Sequence, residues 1–345
     1  MTTAVPVFGI EVTRRCNLHC PHCFTSSGGD THPGPSKQQL ITLLGELASA
    51  GARSVAFSGG EPLIRKDLAD LVRAGTDAGI ADLGLVTNGY YASPSNARAL
   101  ADAGLRTVQV SLDGVDAHDH SAVRHSELAD YYRALRAIRL FKQAGLAVYV
   151  ATVISPRNVQ RAPEMALFCE ALGANGLRYC TFVQTGRATQ AEVVEAFTVA
   201  PDVLDRFVDF VRQINGSSNA RLTVSIDHAM GPWTDSGEFQ CESGQSVAYI
   251  TAEGDLYPCP ALVALPFRIG NVFETPVLEL LASPRMSTVR GIPRQKVEGL
   301  CSTCSNSACH GGCRGSAHAC TGNVYGAVSY CAFGRREARA SGKWE

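Results

Sequence analysis

The sequence predicts an α/β fold: a partial (βα)6 TIM-type barrel followed by a small loop-rich domain. From residue 5 to about residue 185, short apolar runs alternate with longer amphipathic runs, a pattern typical of parallel βα units. After residue 215, glycine and proline interrupt the chain often and helical periodicity fades. Because the alternation stops near residue 185, an open six-fold barrel fits better than a complete eight-fold one.

Six strands and five helices make up the predicted barrel. The strands are Val5–Val12, Arg53–Phe57, Gly84–Thr87, Thr107–Leu112, Ala147–Ile154 and Leu177–Phe182. The helices are Lys37–Ala50, Asp67–Ala78, Ser95–Ala103, Tyr131–Ala144 and Pro163–Leu172. Ser36 is the expected N-cap of the first helix, and Gly104, Gly145 and Gly173 each follow a helix end. Active sites of such barrels lie in the loops that follow the strands.

We expect three parts along the chain: the barrel at residues 1–200, a linker helix region at 201–240 and a cysteine-rich domain at 241–345. An amphipathic helix, Pro201–Ile214, opens the linker. In the last part, Val247–Thr251 and Leu256–Cys259 predict a small β-hairpin around Gly254-Asp255. That part is otherwise too poor in apolar residues to fold well without metal.

Composition excludes several classes of partner. The 345 residues are 45% hydrophobic and 18% charged, with a formal net charge of -1, so no broad basic surface for nucleic acid is expected. No apolar run is long enough to cross a membrane, so a membrane partner is not expected. The first residues lack the pattern of a signal peptide. We therefore expect a cytoplasmic protein.

Thirteen cysteines are the most unusual feature of the composition. In a cytosolic chain of this size, cysteines indicate metal or redox ligands rather than disulfides. Three lie within residues 16–23 and eight lie between residues 241 and 331. This distribution predicts two metal-binding regions, one near each end of the chain.

The first group, Cys16, Cys20 and Cys23, forms a CxxxCxxC motif directly after the first predicted strand. Three thiolates on one loop can hold three irons of a [4Fe–4S] cube and leave the fourth iron open to a cofactor or substrate. The alternative is a tetrahedral zinc site that His19 or His22 would complete.

This motif resembles the signature of the radical S-adenosylmethionine (SAM) superfamily, with His22 where that family has an aromatic residue. A second resemblance follows strand two, where Gly59-Gly60-Glu61-Pro62 matches the family's GGEP motif. The resemblance implies that Gly59 and Gly60 let the backbone approach the methionyl amine of SAM and that Glu61 offsets its charge.

Three weaker matches lie at the ends of later strands. The resemblance implies a polar SAM contact for Asn88, a ribose or carboxylate contact for Ser111 and a carboxylate contact for Arg124. The family has Arg-Gly at the last of these positions, whereas this chain has Arg124-His125. Asn88 is equally explained as a turn residue, and the nearby Asp113 as a helix cap.

The C-terminal cysteines resemble the SPASM extension of radical SAM enzymes, although four residues separate Cys304 from Cys309 where that pattern has five. The resemblance implies one or two auxiliary [4Fe–4S] clusters. Their implied ligands are Cys301, Cys304, Cys309 and Cys331 for the outer cluster, and Cys241, Cys259 and Cys313 for the inner one. An eighth ligand could be Cys320, His310 or Asp255, or one iron could stay open. A zinc ribbon is the alternative.

Three cysteines fall outside both motifs: Cys169, Cys180 and Cys320, the last of which is named above as a candidate eighth ligand. Cys169 lies within a predicted helix and is expected to be buried. Cys180 ends the sixth strand, at the face where barrel chemistry occurs. Its thiol is either a packed strand residue or a catalytic hydrogen-atom donor to a substrate radical.

The resemblance implies an enzyme that reductively cleaves SAM to a 5′-deoxyadenosyl radical, which abstracts a substrate hydrogen atom. Oxidation, crosslinking or epimerisation of a ribosomal peptide would follow. One alternative is a dehydrogenase or epimerase of a small aminocyclitol or sugar product. Another, of a different class, is a non-catalytic zinc-binding interaction protein.

Two protein partners are also expected. The first is an electron donor of the flavodoxin or ferredoxin type. The second is a separate leader-binding protein, since strand one begins at residue 5 and leaves no room for a preceding leader-binding module.

Overall fold

The computed structural model describes residues 6–28, 34–215, 222–226, 241–307, 309–328 and 331. The strands are β1 Val7–Glu11, β2 Ser54–Ser58, β3 Asp82–Thr87, β4 Thr107–Ser111, β5 Ala147–Val153, β6 Gly176–Cys180, β7 Thr223–Ile226, β8 Val247–Ile250, β9 Asp255–Tyr257 and β10 Gly270–Asn271. The helices are α1 Lys37–Ser49, α2 Leu68–Asp77, α3 Pro94–Ala103, α4 Ala117–Arg124, α5 Leu128–Gln143, α6 Ala162–Ala171, α7 Ala191–Phe197, α8 Pro201–Asn215, α9 Val277–Ala282, α10 Pro284–Val289 and α11 Arg314–Thr321.

All ten described strands form one sheet in the order β10-β9-β8-β1-β2-β3-β4-β5-β6-β7. Strands β1 to β7 are parallel, with register pairs such as Gly9 with Ala56 and Val153 with Cys180. The parallel α/β architecture predicted from the sequence is therefore confirmed.

The parallel pattern extends further than expected in both directions. At one edge of the sheet, helix α8 is followed by a seventh parallel strand, β7, which pairs with β6. The prediction that strands and helices cease to alternate near residue 185 is therefore wrong. Strand β7 is only four residues long, too short to stand out as a periodic pattern. At the other edge, β8 of the predicted hairpin pairs in parallel with β1. The division at residues 200 and 240 stays a prediction, but the sheet runs through both regions.

Local sequence signals set the helix ends. The Ser36 hydroxyl accepts a hydrogen bond from the Gln39 backbone N–H at 3.2 Å, which confirms Ser36 as the N-cap of α1. Gly104, Gly145 and Gly173 all have positive φ just after a helix, where glycine avoids a steric cost. Within the described ranges, no helix is long and apolar enough to cross a membrane.

The core lies between the sheet and the helices, and strand alternation decides which side chains enter it. In β1, Phe8 and Ile10 are buried in this layer, whereas Gly9 and Glu11 face the other side of the sheet. Each large apolar side chain buried in this way contributes about 1.5–3 kcal/mol. The opposite face carries smaller and more polar residues and is the face available to a ligand.

Candidate active site

The predicted cluster loop follows β1, and its three cysteines lie close enough to affect one another. Burial raises the pKa of Cys16 to about 12, and Cys20 and Cys23 add to that rise. A thiol held in the way of Cys16 stays protonated until a cation offsets the charge of the thiolate, as bound iron does.

Nitrogen donors surround these sulfur atoms. The Leu18 backbone N–H donates to Cys16 Sγ at 3.4 Å, and Asn88 Nδ2 lies 3.8 Å from the same atom. Arg124 Nη1 lies 3.7 Å from Cys20 Sγ. Hydrogen-bond donors aimed at sulfur suit a thiolate-bound cluster, whose potential depends on such bonds. The loop therefore fits an iron–sulfur cluster on the chemistry of its donors and their surroundings.

The GGEP segment lies against this loop. The Gly60 backbone N–H donates to the Thr13 carbonyl and the Glu61 N–H to the Arg15 carbonyl, both at 2.8 Å. A Cβ atom at Gly59 would overlap the Thr13 carbonyl oxygen, and one at Gly60 would overlap that of Arg15. Both glycines are thus required by the chain's own backbone packing. Their expected contact with SAM stays a prediction.

Glu61 is fully buried and accepts three hydrogen bonds. The donors are Thr87 Oγ1 and the Asn88 N–H, both at 2.7 Å, and the Leu63 N–H at 3.0 Å. Burial raises the pKa of Glu61, although these bonds oppose the rise. Asn88 has two roles, because its Oδ1 accepts from the Tyr90 N–H in a turn while its Nδ2 reaches the cluster loop.

A buried ion pair connects strand β4 to the cluster loop. Arg124 Nε donates to Asp113 Oδ2 at 2.6 Å, and the Val153 N–H donates to Oδ1 at 2.6 Å. Burial raises the pKa of Asp113, but Arg124, followed by His22 and His120, lowers it more, so the carboxyl titrates below its usual range. Arg124 is therefore fixed between Asp113 and Cys20, and its expected SAM contact stays a prediction.

Two details near this pair differ from the sequence-based reading. Asp113 is not a helix cap, because Asp116 caps α4 by accepting from the His118 and Asp119 N–H groups at 3.0 Å. His125 follows α4 with φ of 51°, in the left-handed region that favours glycine. That conformation gives a physical reason for the glycine that the family has at this position.

Several buried polar atoms around the cluster loop have no hydrogen-bond partner within the described residues. They are His22 Nδ1, Asn17 Nδ2, Thr181 Oγ1, Thr185 Oγ1 and Arg187 Nη2. The last three belong to the segment after β6, which touches the loop through an Arg187 Nε bond of 3.0 Å to the Cys20 carbonyl. Unpaired buried polar atoms are costly, so this set fits a polar ligand such as SAM. Ser111 lies half-buried at the end of β4.

The His22 ring packs beside an aromatic cluster rather than toward solvent. Its centroid lies 5.1 Å from that of Phe197, which stacks on Phe182 at 5.2 Å. Burial lowers the pKa of His22 to about 4, so the ring is neutral at physiological pH. A neutral, partly apolar ring resembles in character the aromatic residue that the family has here.

Cys180 lies on the face of the sheet that is opposite to the helices. Its strand neighbour Tyr179 faces the helices, where its hydroxyl donates to the Ala162 carbonyl at 2.7 Å. Strand alternation therefore puts Cys180 and Arg178 on the ligand-accessible face. Cys169, in contrast, is fully buried in the core as expected. Whether Cys180 donates a hydrogen atom stays a prediction.

Three cysteines of the C-terminal array, Cys241, Cys259 and Cys313, lie near one another. Burial raises the pKa of Cys259 to about 12, and the nearby thiols of Cys313 and Cys241 add to the rise. The loop of Cys304 and Cys309 folds around Arg294, whose guanidinium donates to both of their carbonyls and to that of Asn306. The implied inner set is thus brought together.

The other candidate ligands lie in a strand, a helix and two loops. Asp255 accepts from Asn271 Nδ2 at 3.0 Å and pairs with Arg268 at 2.7 Å, so its carboxylate is already engaged. Cys320 lies near the end of α11, while His310 and Cys331 belong to loops. In the parts of the chain that are described, no three His, Cys, Asp or Glu side chains converge on a single-ion site. The assignment of an eighth ligand stays open.

Sequence reasoning missed three arginines at these sites: Arg187, Arg294 and Arg314. The first two have no motif around them. Arg314 directly follows Cys313, so a charge within the cysteine array was a visible signal.

Known proteins match this arrangement along most of the chain. The radical SAM superfamily model matches residues 10–169, and that of an iron–sulfur cluster-binding domain, SPASM, matches residues 241–305. The mycofactocin maturase MftC of Mycobacterium tuberculosis is 30% identical over 309 residues, 88% of this chain and 76% of that protein. The AdoMet-dependent heme synthase of Methanosarcina barkeri is 26% identical over 356 residues, 96% of this chain and 98% of that protein.

The fold has solved counterparts too. Streptococcus suis SuiB bound to S-adenosylmethionine has a TM-score of 0.75 at 18% identity, covering 95% of this chain and 77% of SuiB. SuiB has also been solved with its precursor peptide SuiA, with a TM-score of 0.74.

A parallel sheet with a three-cysteine loop after β1 and a second cysteine array defines an iron–sulfur enzyme class. The chain belongs to the radical SAM superfamily and carries a SPASM domain. Its cofactors are SAM and [4Fe–4S] clusters, which favours the iron–sulfur interpretation of both cysteine groups over zinc.

Proposed function

We propose that this enzyme oxidises a peptide substrate and that the C-terminal clusters accept the electron released. Bound to its cluster, SAM supplies the 5′-deoxyadenosyl radical that abstracts a hydrogen atom from the substrate. A net oxidation, including a crosslink, then removes one further electron and a proton. This outcome gives the large C-terminal array a direct role without requiring a hydrogen donor.

The observation that carries the proposal is the pairing of β8 with β1. Strand β1 leads into the loop of Cys16, Cys20 and Cys23. Strand β8 begins six residues after Cys241, and its hairpin partner β9 ends two residues before Cys259. The register Gly9 with Tyr249 holds the two regions side by side. Adjacent strands of one sheet therefore support both cysteine groups, which favours electron transfer between substrate and array.

The chain's own residues have distinct parts in this proposal. Cys16, Cys20 and Cys23 hold the SAM cluster, and the donors of Asn88 and Arg124 stabilise charge on its sulfur atoms. The SAM-binding set comprises His22, Gly59, Gly60, Glu61, Ser111, Thr181, Thr185 and Arg187. The auxiliary clusters take the C-terminal cysteines. A flavodoxin- or ferredoxin-type protein supplies the first electron.

Two relatives support a peptide as the substrate class. SuiB has been solved with a precursor peptide, and the most identical relative reported above is a maturase. The heme synthase relatives favour a small molecule instead, because they match nearly the whole chain. The small-molecule reaction is therefore the second candidate.

One assay separates these candidates. Reconstituted enzyme, SAM and reductant are incubated anaerobically with synthetic peptides encoded near its gene, and in parallel with tetrapyrrole and aminocyclitol probes. We expect 5′-deoxyadenosine formation together with a peptide lighter by two hydrogen atoms, detected by mass spectrometry. A peptide of unchanged mass that acquires solvent deuterium would indicate epimerisation. Turnover only of a small-molecule probe would contradict the peptide proposal.

A further inference from the structure

Arg314 is a fully buried cation within the C-terminal cysteine array. It opens helix α11, directly after Cys313. Its Nε donates to the Gly312 carbonyl at 3.0 Å, and Nη1 donates to the carbonyls of Val324 and Gly326 at 3.0 and 3.1 Å. These three carbonyls fix the guanidinium plane. No carboxylate among the described residues pairs with it.

The remaining nitrogen, Nη2, is buried without a hydrogen-bond partner among the described residues. A Cβ atom at Gly311 would stand 3.0 Å from Nη2, so the glycine leaves room for this end of the side chain. The Gly311 carbonyl in turn accepts from Cys301 Sγ at 3.8 Å. Nη2 therefore reaches the short glycine segment that borders an outer-set cysteine.

Thiols of both implied cluster sets lie near this cation. Cys313 of the inner set directly precedes Arg314, and Cys301 of the outer set contacts the Gly311 carbonyl beside Nη2. Burial lowers the pKa of Arg314, and Cys241 and Cys309 are among the thiols that oppose this change. The Arg314 backbone N–H also lies beside Cys241, where it lowers the pKa of that thiol. A buried charge needs a counter-charge, and thiolate-bound clusters on two sides provide it.

We infer that Arg314 is the shared counter-charge of the two auxiliary-cluster sites and raises the reduction potential of both clusters. A cation at a fixed position stabilises the reduced cluster more than the oxidised one, because the reduced form carries one more negative charge. Both clusters are thereby suited to accept an electron. This inference rests on the proposed function, which gives the array that task.

The test compares full-length reconstituted enzymes with Arg314→Met and Arg314→Lys. Iron and sulfide content are measured, followed by a dithionite titration monitored by electron paramagnetic resonance. In Arg314→Met we expect the potentials of the auxiliary clusters to become more negative, while the SAM cluster is unchanged. Arg314→Lys keeps the charge and should stay near the wild-type values.

Arg290→Met is the matched control. Arg290 is also a part-buried arginine of this region bonded to carbonyls, with Nε 2.6 Å from the Gly244 oxygen and Nη2 3.4 Å from that of Leu281. The Arg290→Met variant tests whether the loss of any arginine in this region shifts the reduction potentials. An equal shift in Arg290→Met and Arg314→Met would overturn the inference.

The iron content and the reduction potentials of the Arg314 variants decide between the remaining outcomes. Full iron content with unchanged potentials in Arg314→Met overturns the inference. Iron loss in Arg314→Met but not in Arg314→Lys supports it, since charge alone then separates the two variants. Iron loss in both Arg314→Met and Arg314→Lys would mean that the shape of the arginine is needed rather than its charge. This result would overturn the inference. A wild-type array that holds no iron would instead contradict the proposed function.

Discussion

Cys180 is the residue whose position bears most directly on the outcome of the reaction. Strand alternation decides which way Cys180 faces, because Leu177 and Tyr179 occupy the helix-facing side of β6. Cys180 therefore lies at the accessible face, beside Val153 of the neighbouring strand. This is the side of the sheet available to a ligand, so substitution of Cys180 tests whether its thiol takes part in the reaction.

We expect Cys180→Ala to form the same product as the wild-type enzyme at a similar rate. The reason is that a net oxidation passes the electron to the clusters and needs no hydrogen donor. The measurement is product mass and rate, with a parallel reaction in heavy water. Loss of product in Cys180→Ala, together with deuterium incorporation by the wild type, would instead identify an epimerase that uses this thiol.

Gly60→Ala is expected to abolish SAM cleavage and to lower the iron content of the N-terminal site. The added methyl group would overlap the Arg15 carbonyl and push the GGEP segment away from the cluster loop. Formation of 5′-deoxyadenosine and bound iron are the measurements. Gly45→Ala is the control, because nothing lies within 4 Å of a Cβ atom at this helical glycine. It should stabilise the protein by about 0.5–1 kcal/mol.

At the scale of elements, the contact of β1 with β8 contains a buried acid. Glu11 ends β1 and accepts from the Ala252 N–H at 3.3 Å. Burial raises its pKa from 4.5 to about 7, although Ala252 and Arg14 lower it in part. The protonated form is thus favoured in the folded protein, and the contribution of Glu11 to stability is lost as pH rises from about 4.5 to about 7.

Glu11→Gln should remove this pH dependence. The stability of the wild type relative to this variant is expected to fall by at most about 3 kcal/mol between pH 4 and pH 8. The melting temperatures of both proteins across this range are the measurement, and parallel curves would contradict the assignment. Glu253→Gln is the control. Although burial raises the pKa of Glu253, its hydrogen bond to Arg14 lowers it more, so its effect has the opposite sign.

The elements that the sequence predicted well are those with long periodic runs and clear end signals. Helix α1 with its Ser36 cap and the alternating strands of β1 to β6 are of this kind. The short strand β7 gives no clear periodic pattern, and the pairing of β8 with β1 joins residues 240 positions apart, which no local pattern encodes. The motif cysteines were identified because they are closely spaced along the chain. Arg187 was not, because folding brings it to the cluster loop from 167 residues away, and Arg314 was overlooked although it directly follows Cys313.

At the scale of the whole molecule, the two cysteine regions should hold iron independently. Replacing Cys16, Cys20 and Cys23 together with alanine should abolish SAM cleavage but leave the C-terminal iron in place.

Anaerobic reconstitution of the wild type should yield about twelve irons per chain for three clusters, or about eight with one auxiliary cluster. A content near that of one cluster, with stoichiometric zinc, would contradict the SPASM assignment of the array.

The pairing of β1 with β8 also constrains how the chain folds as it is synthesised. Strand β1 is made first, but its neighbour on one side, Val247–Ile250, emerges from the ribosome only after more than two hundred further residues. Until then the outer edge of β1 presents unpaired backbone groups, which are a template for pairing with other chains. A nascent or truncated chain that ends before residue 247 should therefore aggregate or recruit a chaperone, even though its cluster loop is already complete.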